Sequence, residues 1–182
     1  MPAPSRVQRP GAGEFAKHYQ TYVDRVPDGD VVELLSRQIE ESATLLATVP
    51  EAKAGFRYAP DKWSIREVVG HLADSERVFS YRALRFARGD ESPLASFDQD
   101  KWMPLSHFDR RPLGELVAEF RAVRQATLAL LGSFDAAVFA RGGTASGHRV
   151  TVRALAYVIA GHERHHVAIL RERYGVGAPS SS

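Results

Sequence analysis

The sequence predicts an all-α protein, an antiparallel four-helix bundle with a long loop between its second and third helices. Four stretches of about twenty residues carry apolar side chains at helical spacing, and residues that start or stop helices stand at their ends. No alternating apolar pattern is long enough to build a sheet. Four amphipathic helices bury their apolar faces most simply by packing against one another in a bundle.

The first two helices are bounded by clear sequence signals. The first predicted helix covers residues 30–49 and is followed by a proline, which cannot continue a helix. The second covers residues 64–88 and is followed by a glycine. It begins at Ser64, whose spacing to Glu67 matches a capping box.

The other two helices follow the long connection. Residues 89–111 form a loop of unusual length for a bundle, and we expect a lid or a rim there because such loops are often functional. The third predicted helix covers residues 113–131, and the fourth covers residues 151–174. Before the first helix, residues 14–27 contain aromatic side chains without a clear period and are expected to be an ordered extension that packs on the core.

Composition predicts one cytoplasmic domain. The chain has 182 residues and no cysteine, so disulfides, thiolate metal sites and a cysteine nucleophile are excluded. A net charge of +2 and the lack of a long apolar run argue against nucleic-acid and membrane partners. We expect residues 1–13 to be a flexible leader without a signal peptide, residues 14–175 to form the bundle domain, and residues 176–182 to be a disordered tail.

Two histidines stand in the apolar stripe of the fourth helix. At about 100° per residue, His162 and His166 are about 40° apart and one turn from each other, so both imidazoles can chelate one metal ion. The competing interpretation is a pair of satisfied core histidines, each of which would need its own polar partner. His165 lies at the edge of the stripe and is a candidate proton relay, as is Glu163.

A third ligand has to come from another helix. His71 is the one remaining histidine inside a strongly predicted helix, whereas His18, His107 and His148 fall in the leader or in loops and are expected at the surface. Three neutral imidazoles with an open position suit zinc, nickel or a similar divalent ion, in the pattern of a catalytic site.

Charged side chains also fall in the middle of apolar stripes. Glu76 does so on the second helix and Arg124 on the third, and a buried charge is costly unless it is paired. We therefore predict that Glu76 and Arg124 meet inside the bundle as an ion pair that fixes helix register. The alternative makes Glu76 or Glu163 a carboxylate that orients a ligating histidine.

Three segments resemble the DinB/YfiT-like superfamily of four-helix metal proteins: FRYAPDKWSIREVVGHLADSERVFSYRALRFARGD, FDQDKW and GHERHHVAIL. The similarity extends over nearly the whole chain. Its most specific elements are the histidine in WSIREVVGHLADSE and the HxxxH pair of the last helix. The family pattern of one ligand from the second helix and two from the fourth maps onto His71, His162 and His166. The resemblance also implies a homodimer and a metal pocket near the helix ends.

Three functions remain open at this point. The resemblance implies a metal-dependent enzyme, either a hydrolase or a transferase that uses a low-molecular-weight thiol such as bacillithiol or mycothiol as cosubstrate. A second possibility is a metal-binding stress-response protein without chemistry, and a third is a helical interaction module with structural histidines. Because the chain has no cysteine, any thiol chemistry would need a thiol from outside.

Overall fold

The structure, a computed structural model, describes residues 7–178 and confirms the predicted four-helix bundle. The four long helices are α2, α3, α5 and α7, and the described part also contains three short helices and one two-stranded sheet. The elements are, in chain order, α1 Gln20–Val23, α2 Val31–Leu46, α3 Ile65–Ala87, α4 Gln99–Ser106, α5 Leu113–Gly132, α6 Ala136–Ala140, β1 Gly142–Ala145, β2 His148–Thr151 and α7 Val152–Tyr174.

The long helices form a closed four-membered ring. Helix α3 packs on α5 and α7, and α2 packs on the same two helices from the other side. Each long helix begins within one residue of its predicted start. At α3 the predicted capping box is present, because Ser64 accepts from the amide of Glu67 while the Glu67 carboxylate accepts from the amide of Ser64. Within residues 7–178, none of the helices combines the length and apolar character that a membrane crossing requires.

The two-stranded sheet corrects the expectation that the chain builds no strands. Strands β1 and β2 pair antiparallel through a two-residue turn at Ser146 and Gly147, both with positive φ. Tight turns of this kind favour Asn–Gly or Asp–Gly, so Ser146–Gly147 is a weak hairpin signal. Four-residue strands are also too short to produce a visible alternating pattern. The amide of Leu94 donates to Thr144, so the hairpin also fixes the beginning of the long connection.

The long connection between α3 and α5 is partly helical. It contains α4, which packs against α3 through the buried side chain of Met103. Phe108 follows and is buried directly on Gly70 of α3, where any Cβ would collide with its ring. This segment therefore covers the middle of α3, close to His71.

The chain before α2 also packs on the bundle. Val23 and Val26 are each 2% exposed, which confirms the predicted ordered extension. Of the predicted leader and tail, residues 1–6 and 179–182 lie outside the described residues. Val7 is buried and Arg9 donates to the carbonyl oxygen of Val23. The division into leader, domain and tail remains a prediction.

Candidate metal centre

Three histidine side chains converge between α3 and α7. His71 comes from α3, and His162 and His166 come from α7. The Nε2 atoms of His71 and His162 lie 3.0 Å apart, and one ring nitrogen from each of the three residues lies within 4.8 Å of the others. His71 and His162 are buried, while His166 is partly exposed. The structure thus brings together the three residues that the sequence selects as metal ligands.

Aromatic rings form the walls around this cluster. The Trp63 ring lies 4.7 Å from the ring of His71, and Phe79 and Tyr22 meet His162 edge-on at 5.8 and 5.3 Å between ring centroids. Tyr22 comes from α1, which approaches α7 so closely that a Cβ on Gly161 would collide with the carbonyl of Tyr22. An apolar enclosure of this kind fixes ring orientations and excludes water.

Burial keeps the three imidazoles neutral. It lowers the pKa of His71 to about 4, with a smaller contribution from His165. Burial also holds the pKa values of His162 and His166 well below the ordinary value, and the neighbouring histidines add to the effect. A neutral imidazole is the form that binds a metal ion, so at neutral pH protons do not compete for these nitrogens.

The residues fit a divalent first-row metal ion. Ligands at about 2.0–2.1 Å in a tetrahedral site are separated by roughly 3.3 Å, close to the spacing of the His71 and His162 nitrogens. Within residues 7–178 no carboxylate or thiol joins the three histidines. Three imidazoles without a fourth protein ligand leave room for a substrate, as in catalytic sites.

Ser75 orients His71 from the same helix. Its hydroxyl oxygen lies 3.3 Å from Nδ1 of His71, and the serine is 1% exposed. The same oxygen lies 3.5 Å from Nε2, so the shorter contact is the one to Nδ1. A hydrogen bond at Nδ1 leaves Nε2, which lies 3.0 Å from Nε2 of His162, for the other two histidines.

A narrow cleft leads from the surface to His71. It has a volume of about 10 Å³, about the size of one water molecule, and is lined by His71, Asp74 and Ser75 on one side and by Trp102 and Met103 on the other. Burial raises the pKa of the Asp74 carboxyl, although its salt bridge to Arg77 works in the opposite direction. Sequence reasoning missed Asp74, although it stands one helical turn after His71.

His165 lies next to the cluster on α7. Its ring centroid is 5.1 Å from that of His166 and 5.5 Å from that of Tyr22. Its Nδ1 is buried and has no hydrogen-bond partner among the described residues. His165 is therefore positioned beside the cluster, as expected for the candidate relay. Tyr22 could not be selected from the sequence because its segment has no helical period.

The predicted ion pair between Glu76 and Arg124 is confirmed. Nε and Nη2 of Arg124 donate to the two carboxylate oxygens of Glu76, each at 2.8 Å. Nη2 also donates to Glu163 at 2.8 Å, and Nη1 donates to the carbonyl of Leu35. Burial opposes the charge of Arg124, but Glu163 and Glu76 outweigh it and raise the pKa of the guanidinium. One arginine on α5 thereby bonds to the three other long helices.

Glu163 belongs to this polar network and not to the histidine cluster. Gln38 donates to one of its oxygens at 2.5 Å and Ser42 donates to the other at 2.6 Å. Within the part of the chain that the structure describes, neither Glu76 nor Glu163 hydrogen-bonds a histidine. The bonds of Glu76 are those of the predicted helix-fixing ion pair, and Glu163 joins that pair as a member that was not predicted.

The remaining histidines lie away from the cluster. His18 and His148 face each other with ring centroids 5.8 Å apart, and His107 follows α4 in a left-handed backbone conformation with φ of 54°. None of them joins the group of His71, His162 and His166. All three are exposed, which confirms the expectation that they lie at the surface.

The bundle with three inward histidines matches a known family. The model of the DinB superfamily matches residues 34–170. The chain belongs to the DinB superfamily. Among relatives, this DinB chain is 33% identical over 103 residues to an Oceanobacillus iheyensis protein named "Putative metal-dependent hydrolase". That match covers 56% of this chain and 50% of the relative, so the chain spans about half the length of the curated relative it matches.

Two solved structures share the fold. YfiT from Bacillus subtilis, described as "a probable metal-dependent hydrolase with an unusual four-helix bundle topology", has a TM-score of 0.68 at 20% identity and covers 93% of this chain and 95% of its own. The mycothiol-dependent maleylpyruvate isomerase has a TM-score of 0.66 at 14% identity, covering 87% of this chain and 65% of its own. These likenesses concern the DinB fold alone.

Proposed function

We propose that this DinB protein is a metal-dependent hydrolase whose divalent ion, zinc or nickel, is held by His71, His162 and His166. The observation that carries the proposal is the convergence of three neutral imidazoles without a fourth protein ligand among the described residues. A divalent ion with an open coordination position acidifies water and polarises the carbonyl or phosphoryl group of a substrate.

Residues around the three histidines orient the ligands, accept a proton and exclude water. Ser75 holds the ring of His71 in orientation through Nδ1. The Asp74 carboxylate, in the cleft beside His71, accepts the proton that the attacking water loses. His165 is the second candidate for that proton, because its ring lies beside that of His166. The rings of Trp63, Tyr22 and Phe79 exclude bulk water from the reacting groups.

A thiol-dependent transferase is the second candidate. The fold similarity to the mycothiol-dependent maleylpyruvate isomerase supports it, and the chain's lack of cysteine means that the thiol would arrive as a low-molecular-weight cosubstrate. An open metal position binds a thiolate as readily as it binds water. The two candidates therefore share one site and differ in the nucleophile.

The test is a turnover screen on metal-loaded protein. Ester, amide and phosphoester substrates are assayed with zinc and with nickel, each with and without added low-molecular-weight thiol. Metal-dependent hydrolysis without thiol supports the hydrolase, and turnover that needs the thiol supports the transferase. His162→Ala is the control, and it should lose activity in either case. Metal binding without any turnover would leave a metal-binding protein without chemistry.

We also propose a homodimer, as family membership suggests. Sedimentation equilibrium of the purified chain tests this directly, because one chain has a mass of 20.1 kDa. A species of twice that mass supports the dimer, and a single-chain species contradicts it.

A further inference from the structure

A second cavity lies on the far side of α7 from the histidine cluster. This groove has a volume of about 490 Å³ and runs between the last turns of α7, the middle of α2 and the segment after α1. Its α7 wall includes Arg164 and Arg171, which at about 100° per residue point roughly opposite to His162 and His166. Nothing in the proposed hydrolysis uses this groove.

Three arginines line the groove: Arg25, Arg164 and Arg171. The Nε of Arg164 donates to the backbone carbonyl of Arg25, which holds the Arg164 side chain against the segment after α1. Within residues 7–178 none of the three arginines forms a salt bridge with a carboxylate. Planar guanidinium groups that have no protein carboxylate as partner are suited to a carboxylate on a ligand.

The floor of the groove contains a buried acceptor without a donor. Gln38 lines the groove and is 4% exposed. Its Nε2 donates to the carbonyl of Ala160 and to Glu163, and these two acceptors fix the orientation of the amide. Its Oε1 is buried and has no donor among the described residues. A buried acceptor of this kind is costly unless something supplies an N–H or O–H group.

The rim carries negative charge as well. Glu41 and Glu172 both line the groove, and neither forms a salt bridge within the described part of the chain. A ligand with a negative group alone would meet repulsion from these two carboxylates. A ligand with a carboxylate and an ammonium group would satisfy the arginines, the two glutamates and Oε1 of Gln38 together.

We propose that this groove binds a zwitterionic ligand of the amino-acid type. The carboxylate lies among Arg25, Arg164 and Arg171, and the ammonium group donates to Gln38 and to the glutamates of the rim. The site is separate from the histidine cluster, so ligand binding does not require a bound metal. Gln38 also donates to Glu163, which accepts from Arg124, so the groove contacts the buried ion network through Gln38.

The test is a thermal-shift screen with the twenty free amino acids, on metal-free and metal-loaded protein. At about ten times its dissociation constant, a bound amino acid raises Tm by about 3–6 °C. The N-acetyl derivative and the carboxamide of the best amino acid each lack one charge and should bind at least tenfold more weakly. Inorganic phosphate, as a plain anion, should give no comparable shift.

Variants locate the site. Arg171→Ala and Glu172→Gln should each weaken binding at least tenfold, whereas Arg173→Ala, two residues from Arg171 and outside the groove, should leave it unchanged. Unchanged Tm without ligand and unchanged metal content show that each variant is folded. The proposal is overturned if no amino acid shifts Tm, if phosphate or the N-acetyl derivative binds equally well, or if Arg171→Ala binds as the wild type does.

Discussion

Nη2 of Arg124 lies 2.8 Å from Oε2 of Glu163, and both side chains are almost fully buried. Glu163 follows His162 in the chain, so this bond fixes the rotation of α7 at the point where the metal ligand points inward. The same guanidinium binds Glu76 on α3, the helix that supplies His71. The buried ion network and the histidine cluster therefore depend on the same relative placement of α3 and α7.

Removing Arg124 should destabilise the bundle strongly. Arg124→Met keeps much of the volume but leaves Glu76 and Glu163 buried without a cation, which costs about 3–5 kcal/mol. Urea unfolding followed by circular dichroism measures this change. Arg121→Met on the same helix is the matched control, because its salt bridge to Glu40 is exposed and contributes about 0–1 kcal/mol. Equal losses of unfolding free energy in the two variants would contradict the structural role of the buried network.

Ser75→Ala should weaken metal binding without unfolding the protein. Loss of the hydrogen bond to Nδ1 frees the ring of His71 to rotate, which reduces metal affinity about tenfold or more. Competition with a chelating dye gives the zinc dissociation constant. Ser80→Ala serves as the control on the same helix, since Ser80 bonds only to the carbonyl of Arg77. An unaltered zinc dissociation constant in Ser75→Ala would show that the serine does not orient His71 for metal binding.

Two variants identify the proton acceptor. Asp74→Asn should lower hydrolytic turnover about 100-fold or more while zinc content stays the same, because the amide cannot accept the proton. His165→Gln should have a much smaller effect. A large loss in His165→Gln together with near-normal turnover in Asp74→Asn would assign the role to His165.

Acid should destabilise the metal-free protein through His71. Burial lowers its folded pKa to about 4, below the ordinary value of 6.5. Below pH 6.5 the unfolded chain binds the proton first, so stability is complete above that pH and is lost as the pH falls toward 4. For this one group the loss is roughly 3 kcal/mol.

Urea midpoints between pH 7.5 and 4, measured in the presence of a chelator, follow this dependence. His71→Gln, which does not titrate in this range, should show a shallower decline than the wild type. Identical declines would mean that His71 does not titrate as its burial requires.

Much of the fold and site follows from local sequence signals. The start of α3 is set by Ser64 and Glu67, and the inward direction of His162 and His166 follows from their place in an apolar stripe. The pairing of Glu76 with Arg124 was predictable because two charges in apolar stripes have only each other as partners. Glu163 was not recognised as a third member of this ion network, because its position on α7 does not indicate a partner on α5.

Other features depend on contacts that sequence periodicity does not encode. Helix α4 is short and contains Pro104, so its amphipathic pattern is weak, and the strands of the hairpin have four residues each. Tyr22 reaches His162 only because Gly161 allows α1 to approach α7 closely. Asp74 stands on a predicted helix, but the sequence does not show that it lines a cleft beside His71. That cleft is formed with residues of α4, whose position the sequence does not predict.

The most direct test of the central claim is the metal content of the untagged protein beside His162→Ala, measured by mass spectrometry. We expect about one equivalent of zinc or nickel per chain in the wild type and almost none in the variant, with both proteins folded. A wild-type protein that binds no metal even after incubation with zinc and with nickel would contradict the proposed metal site. The three histidines would then only pack against one another.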